Sequence, residues 1–277
     1  MIDPRLAVIQ RRLERIGRIV VFSSGKGGVG KSLCSSVGAL LLARRGMRVG
    51  LLDLDFHGAS THIFLGASLG FPEEEHGILP LPVGDEAAVR GSLRFMSVAA
   101  FTGDRAVPLR GEAVSNALIE LLAVTIWGEL DVLVVDMPPG IGDEVLDLVR
   151  FMERSEIVAI STASEVSVRV VERLLGMFLE LGMPVLGVIE NMALPERAEA
   201  KGSRPAPSPW VSGGRWIGKS GALADRDVPS LGSIAFIPEV EQALGSPARL
   251  LESAFADSLD RALGRAAGGL VGTSEGS

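Results

Sequence analysis

Cysteine is almost missing from this chain: Cys34 is the only one in 277 residues. No internal disulfide can form, which points to a reducing compartment. A basic excess is missing too. The net charge is −7 and the isoelectric point about 5.2, a poor basis for holding nucleic acid or an anionic membrane non-specifically. No apolar run is long and uncharged enough to span a bilayer, because Glu120, Glu129 and Asp131 interrupt the longest candidate. The start, Met1 to Arg5, is charged and lacks a signal-peptide pattern. The expected location is therefore the cytoplasm, with neither nucleic acid nor membrane as partner. No internal repeat is present. Apolar residues, at 47%, are plentiful enough for the core of one large α/β domain.

One stretch organises the rest. Ser24-Gly25-Lys26-Gly27-Gly28-Val29-Gly30-Lys31-Ser32 follows the apolar run Arg18 to Phe22 and leads into a helical run, Leu33 to Arg45. Strand, glycine loop and helix form the context in which Gly-x4-Gly-Lys-Ser binds phosphate. Glycines let the backbone wrap around phosphate oxygens with several N–H groups turned inward. The helix adds the positive end of its dipole. Lys31 suits the β- and γ-phosphates of a nucleotide, and the Ser32 hydroxyl suits Mg²⁺.

Along the chain, Leu6, Ile9, Leu13 and Ile16 recur at helical spacing with Arg5, Arg11, Arg12 and Arg15 on other faces. This predicts an amphipathic helix from Pro4 to Ile16 packed on the domain edge, with a membrane-surface helix as the other reading. Arg48 to Asp53 reads as a parallel strand covered on both faces, since its apolar run is continuous. Asp53 and Asp55 then leave its carboxyl edge, where the phosphate loop also sits. Residues 65–90 have no clear period, and Glu73 to Glu75 read as a solvated run. Leu93 to Val98 is a further strand, and Glu112 to Trp127 a helix ending at Gly128. Asp131 to Asp136 is a buried strand with an aspartate at its tip, a position suited to the outer shell of nucleotide-bound Mg²⁺. The turn after it contains Gly140, which allows close backbone approach to a terminal phosphate. For Asp55 and Asp136, simple capping of a turn is the competing reading. Glu156 to Ser161 and Pro184 to Ile189 are strands flanking a helix from Val166 to Leu181, and Asn191 closes the second strand. Residues 195–214 form a Pro/Ser/Gly loop, Leu231 to Phe236 is a last strand, and Ser246 to Leu263 a closing helix with Gly264 as stop. The alternation predicts one doubly wound, mostly parallel sheet with helices on both faces. It divides into an N-terminal helix (1–17), a phosphate-loop domain (18–265) and a tail (266–277).

Several of these stretches together resemble a family. Lys26 to Ser32 is similar to the deviant Walker A loop of MinD, ParA and the nitrogenase iron protein, with its extra early lysine. Asp53 to Ser60, Trp127 to Asp143 and Gly187 to Met192 narrow the resemblance to the Mrp/ApbC iron–sulfur cluster carrier ATPases. The resemblance implies an ATP-hydrolysing homodimer using ATP and Mg²⁺. It gives Gly25, Lys26, Gly27, Gly28, Val29, Gly30, Lys31, Ser32, Leu33 and Gly140 to the nucleotide phosphates, with Asn191, Pro238 and Glu239 at the base. Lys26 would reach the partner's nucleotide, Lys31 bind the β/γ-phosphates, and Asp55 orient the attacking water. Ser32, Asp55 and Asp136 would serve the metal.

Two departures stand out. Leu33 replaces the family's threonine, whose hydroxyl helps hold the α-phosphate, so weaker nucleotide binding is expected. The family's Cys-x-x-Cys pair, through which two subunits bridge a [4Fe–4S] cluster, has no counterpart after Met192. Cys34 reads as a small core residue, and His57, His62 and His76 cannot replace four thiolates. The segment Trp216 to Gly221 still resembles the family. The leading reading is an ATP-gated protein of cluster assembly whose thiols come from an iron–sulfur apoprotein or a cysteine-bearing partner. The alternatives are a MinD/ParA-like positioning switch and a small-molecule kinase or ligase of the same fold.

Overall fold

The computed structural model describes residues 3–69, 73–83, 89–102, 111–194, 208–212, 214–216, 218, 223, 225–266 and 270. Helix α1 (Pro4–Leu13) leads to β1 (Ile16–Ser23), α2 (Lys31–Arg44), β2 (Arg48–Asp53) and α3 (Thr61–Leu65). Next come β3 (Leu81–Pro82), β4 (Ser92–Ser97), α4 (Ala99–Thr102), α5 (Glu112–Val124), β5 (Leu130–Asp136), α6 (Asp143–Phe151) and β6 (Ser155–Ser161). The chain continues through α7 (Glu165–Glu180), β7 (Val185–Ala193), the short pair β8 (Val211–Ser212) and β9 (Arg215–Trp216), and β10 (Ser230–Ala235). A 3₁₀ turn (Pro238–Ala243), α8 (Pro247–Leu251) and α9 (Ala254–Leu263) close it.

The main sheet runs β10-β7-β6-β1-β5-β2-β4-β3, parallel except for the β3 edge. The expected doubly wound architecture is thus the observed one. The continuous apolar runs of β1 and β5 are explained by cover on both faces. Val20 and Phe22 point to the layer of α2 and α9, whereas Ile19 and Val21 point to the layer of α1, α5 and α6. Alternation along the strand divides the two cores. Because β6, β1, β5 and β2 are neighbours and parallel, their carboxyl ends open on one edge.

Several boundaries differ from the sequence pattern for identifiable reasons. Helix α1 stops at Leu13 because Ile16 already pairs with Leu130 in the sheet. Helix α5 ends at Val124, and extended Thr125 bridges to Ile78. The predicted 246–263 helix is broken in two, since Ser253 caps α9 by accepting from the Ala256 N–H at 3.2 Å. Helices α3, α4 and α6 have no counterpart in the sequence pattern. Val145, Leu148 and Val149 do carry helical spacing in α6, but the element is short. Asn191 lies inside β7 rather than at its end. Of the expected 195–214 loop, the 266–277 tail and the Trp216–Gly221 stretch, most lies outside the described residues.

Gly50 in β2 shows how tightly the lower sheet packs. A Cβ placed there would stand 2.7 Å from Leu130 Cδ1 and 2.8 Å from Trp127 Cε3. Gly50→Ala is expected to lower unfolding free energy by about 1–3 kcal/mol, as overpacking does. Urea titration would read this as a lower midpoint at unchanged slope; an unmoved midpoint would mean that the indole yields freely.

Candidate functional site

The glycine loop leaves β1 and enters α2 at Lys31, with Gly30 at the N-cap in a left-handed conformation (φ 81°). Gly28 has φ 76°, another turn at which a side chain would be strained. Gly25 is needed for a different reason: a Cβ there would lie 2.8 Å from Val170 Cγ1 on α7. The loop borders a cleft of about 260 Å³. Lys26, Gly27, Gly28, Val29, Gly30, Lys31, Ser32 and Leu33 line it, and Asp55, Ser60, Phe64 and Pro139 close its other side. The start of α2 thus presents its unpaired N–H groups to a concave, glycine-lined surface, the geometry that suits a polyphosphate.

Beneath the loop lies a buried charge cluster. Lys31 Nζ donates to Asp136 Oδ1 at 2.6 Å and to Ser32 Oγ at 3.2 Å. Ser35, one helical turn beyond Lys31, donates to the same Asp136 oxygen at 3.0 Å. Asp136 Oδ2 is buried without a hydrogen-bond partner among the described residues. Asp53 stands beside Asp136 in the sheet register. It accepts from the Asp55 N–H at 3.0 Å and from Thr61 Oγ1 at 2.5 Å, so it ties the loop after β2 to the start of α3. Burial, then repulsion from Asp136, pushes the Asp53 carboxyl up to about 7. Burial raises Asp136 as well, although Lys31 opposes the shift.

Asp55 is half-buried at the cleft, where its Oδ1 accepts from the backbone N–H groups of Gly58 (2.9 Å) and His57 (3.2 Å). It caps that turn and faces the cleft at once. Gly140 (φ 101°) donates its N–H to the Ser24 carbonyl at 2.9 Å, drawing the turn after β5 onto the loop. Asn191 is buried, and its Nδ2 donates to the Val29 carbonyl at 2.9 Å. Pro238 and Glu239 are exposed at the start of the 3₁₀ turn and do not line the cleft. Leu33 stands at the cleft wall and packs on the core behind it. The sequence reading missed Ser35 and Thr61 as partners of the two aspartates. The only signal for Ser35 is its i+4 spacing from Lys31.

The cluster chemistry is less well served. Cys34 is fully buried on α2, and burial, then the nearby Asp136, pushes its thiol well above the usual range. Among the described residues no group of His, Cys, Asp and Glu is placed to hold a metal by itself. One buried thiol does not fit a four-thiolate cluster.

The family model of the ParA-type NUBPL iron-transfer P-loop NTPase matches residues 15–265. The iron–sulfur cluster carrier protein of Escherichia coli K12 is 36% identical over 185 residues, which cover 67% of this chain and 49% of that protein. The chain spans about half the length of that curated relative. A nucleotide-binding protein from Archaeoglobus fulgidus, solved in complex with ADP, superimposes with a TM-score of 0.68 at 26% identity, covering 91% of this chain and 95% of that one. The cell division ATPase MinD of Pyrococcus furiosus shares the fold with a TM-score of 0.59 at 18% identity, over 89% and 96% of the two chains. The family match runs through the glycine loop, both aspartate strands and Asn191, and the chain therefore belongs to the ParA-type iron-transfer P-loop NTPases.

Proposed function

We propose that this chain binds ATP in the loop-lined cleft and hydrolyses it, and that the nucleotide state gates a face used in iron–sulfur cluster assembly or transfer. The observation that carries the reading is the Lys31–Asp136 contact of 2.6 Å at the floor of that cleft. Lys31 is held by a carboxylate until phosphate competes for it. The family membership supports the same reading.

In this scheme Lys31 exchanges Asp136 for the β/γ-phosphate oxygens, and the N–H groups of residues 25–33 surround the phosphates. Ser32, Asp136 and Asp55 would hold Mg²⁺, and the unpartnered Oδ2 of Asp136 fits that task. Bound there, Mg²⁺ would neutralise charge on the β- and γ-phosphates. Asp55 orients the attacking water, and Asp53 positions Asp55 through its backbone N–H. Lys26 serves the nucleotide of a second copy across a homodimer. Asn191, Pro238 and Glu239 serve the base, which Asn191 approaches from beside Gly30. The thiolates of any cluster come from a partner, because Cys34 is enclosed beneath the loop.

Nucleotide binding and turnover separate these roles. Lys31→Ala is expected to weaken ATP binding about 10- to 100-fold, the scale of a hydrogen bond to a charged group. Asp55→Ala is expected to bind ATP normally and to lose turnover by roughly 100-fold. Wild-type turnover in Asp55→Ala would remove Asp55 from the water-orienting role.

Asp53 links the stability of the fold to pH. An unfolded aspartate titrates near 3.9, and the folded group near 7. Between these values the native state keeps a proton that the unfolded chain has released. Its contribution is complete below pH 4 and is lost as pH rises through 7. Chemical denaturation at pH 5 and pH 8 should show wild type losing more stability than Asp53→Asn over that interval. Parallel losses would place the coupling elsewhere.

Anaerobic reconstitution of the purified chain with iron and sulfide is expected to give sub-stoichiometric iron and no visible-range cluster absorbance, with ATP turnover intact. A stoichiometric cluster would mean that the chain supplies its own ligands.

A further inference from the structure

Helix α1 carries a second recognition surface, on the opposite edge of the sheet from the nucleotide cleft. Val8, Arg11 and Arg12 stand at i, i+3 and i+4 on one side of the helix, and Arg15, in the turn just past its end, borders the same cleft. Ile9 and Leu13, on another side, are buried in the core. The stripe faces the segment Ile126 to Gly128 just before β5, and a cleft of about 310 Å³ lies between them. Its floor is apolar, with Ile126 and the buried Trp127 indole, and Val8 is 40% exposed at the rim.

The chain has a surplus of seven negative charges, and several of its arginines meet carboxylates nearby. Arg5 pairs with Asp3 and Glu120, Arg48 with Glu129 and Asp131, and Arg45 with Asp260. Among the described residues, Arg11, Arg12 and Arg15 pair with no carboxylate; Arg12 donates only to the Val124 carbonyl at 3.1 Å. The helix does not need them for anchorage, since Gln10 donates to the Phe151 carbonyl and Arg154 to the Leu13 carbonyl. Three uncompensated guanidiniums over an apolar trough complement an anionic segment with an apolar side chain at its centre.

We propose that this cleft docks an acidic peptide segment of a partner protein, with one apolar side chain seated on Ile126 and Trp127 and flanking carboxylates on Arg11, Arg12 and Arg15. A concave trough seats a single side chain better than it does a flat lipid surface. The position also leaves the nucleotide edge free, because β1 separates the two by its eight residues, about 25 Å of extended chain. A partner can therefore stay docked while the cleft above turns over nucleotide.

The test uses the full chain and a fluorescein-labelled peptide, Glu-Glu-Leu-Glu-Glu, read by anisotropy. Controls are Glu-Glu-Ser-Glu-Glu, Lys-Lys-Leu-Lys-Lys and vesicles containing phosphatidylglycerol. Wild type should bind the leucine peptide more tightly than the serine one, fail to bind the lysine peptide, and weaken with added salt. Arg11→Glu/Arg15→Glu, which spares the Arg12–Val124 bond, should lower affinity about tenfold or more with unchanged ATP turnover. Val8→Asp should also weaken binding. Equal affinity in the arginine variant, or no peptide binding by wild type, overturns the proposal. Arginine-dependent pelleting with the vesicles but no peptide binding overturns it in favour of a lipid surface.

Discussion

Lys31 and Asp136 meet at 2.6 Å in the buried floor of the cleft, and the rest of the site is arranged around that contact. One buried cation faces two buried carboxylates, since Asp53 stands beside Asp136 in the sheet. A buried charge is costly unless paired, and here one negative charge exceeds the pairing available. Protons relieve the excess: burial raises the affinity of both aspartates for them.

The sheet order makes this cluster possible. Strands β1, β5 and β2 are adjacent and parallel, so the loop after β1, Asp136 at the tip of β5 and Asp53 at the tip of β2 arrive at one edge without any long-range coincidence. Backbone bonds then fix their depth. The Leu54 N–H donates to the Asp136 carbonyl at 2.9 Å, and the Met137 N–H to the Phe22 carbonyl at 3.1 Å. The same parallel order places the starts of β6, β1, β5 and β2 on the far edge, where α1 and the segment before β5 enclose the arginine-lined trough. One sheet thus presents two chemically different edges.

How much of this was legible in the sequence follows from how local each signal is. The loop and the aspartates at the ends of β2 and β5 lie in contiguous motifs whose chemistry and context agree, and the structure brings Lys31, Ser32, Asp55 and Asp136 to one cleft or its floor. Ser35 was not legible, because a serine mid-helix has many ordinary uses and its partner lies 101 residues away. Helix α6 was hidden by its brevity and by exposed Leu146, which blurs the apolar stripe. The break before α9 depends on one hydroxyl, Ser253, inside an otherwise unbroken helical pattern. Pro238 and Glu239 show the opposite limit: resemblance sends them to the base, and they do not line the phosphate-loop cleft.

The end of β7 bears on the cargo. Beyond Asn191, where cluster carriers of this type have their paired cysteines, the chain shows Met192 with φ 57° and 37% exposed, then Leu194 at 74%. Phe236, tied to this strand by its N–H to the Ala193 carbonyl, is 55% exposed. A non-glycine residue held at positive φ is uncommon and costs energy unless its surroundings require it. Here Met192 lies against Gly30 of the nucleotide loop. Met192 thus joins the nucleotide loop to the exposed apolar residues at the end of β7, none of which is a thiol.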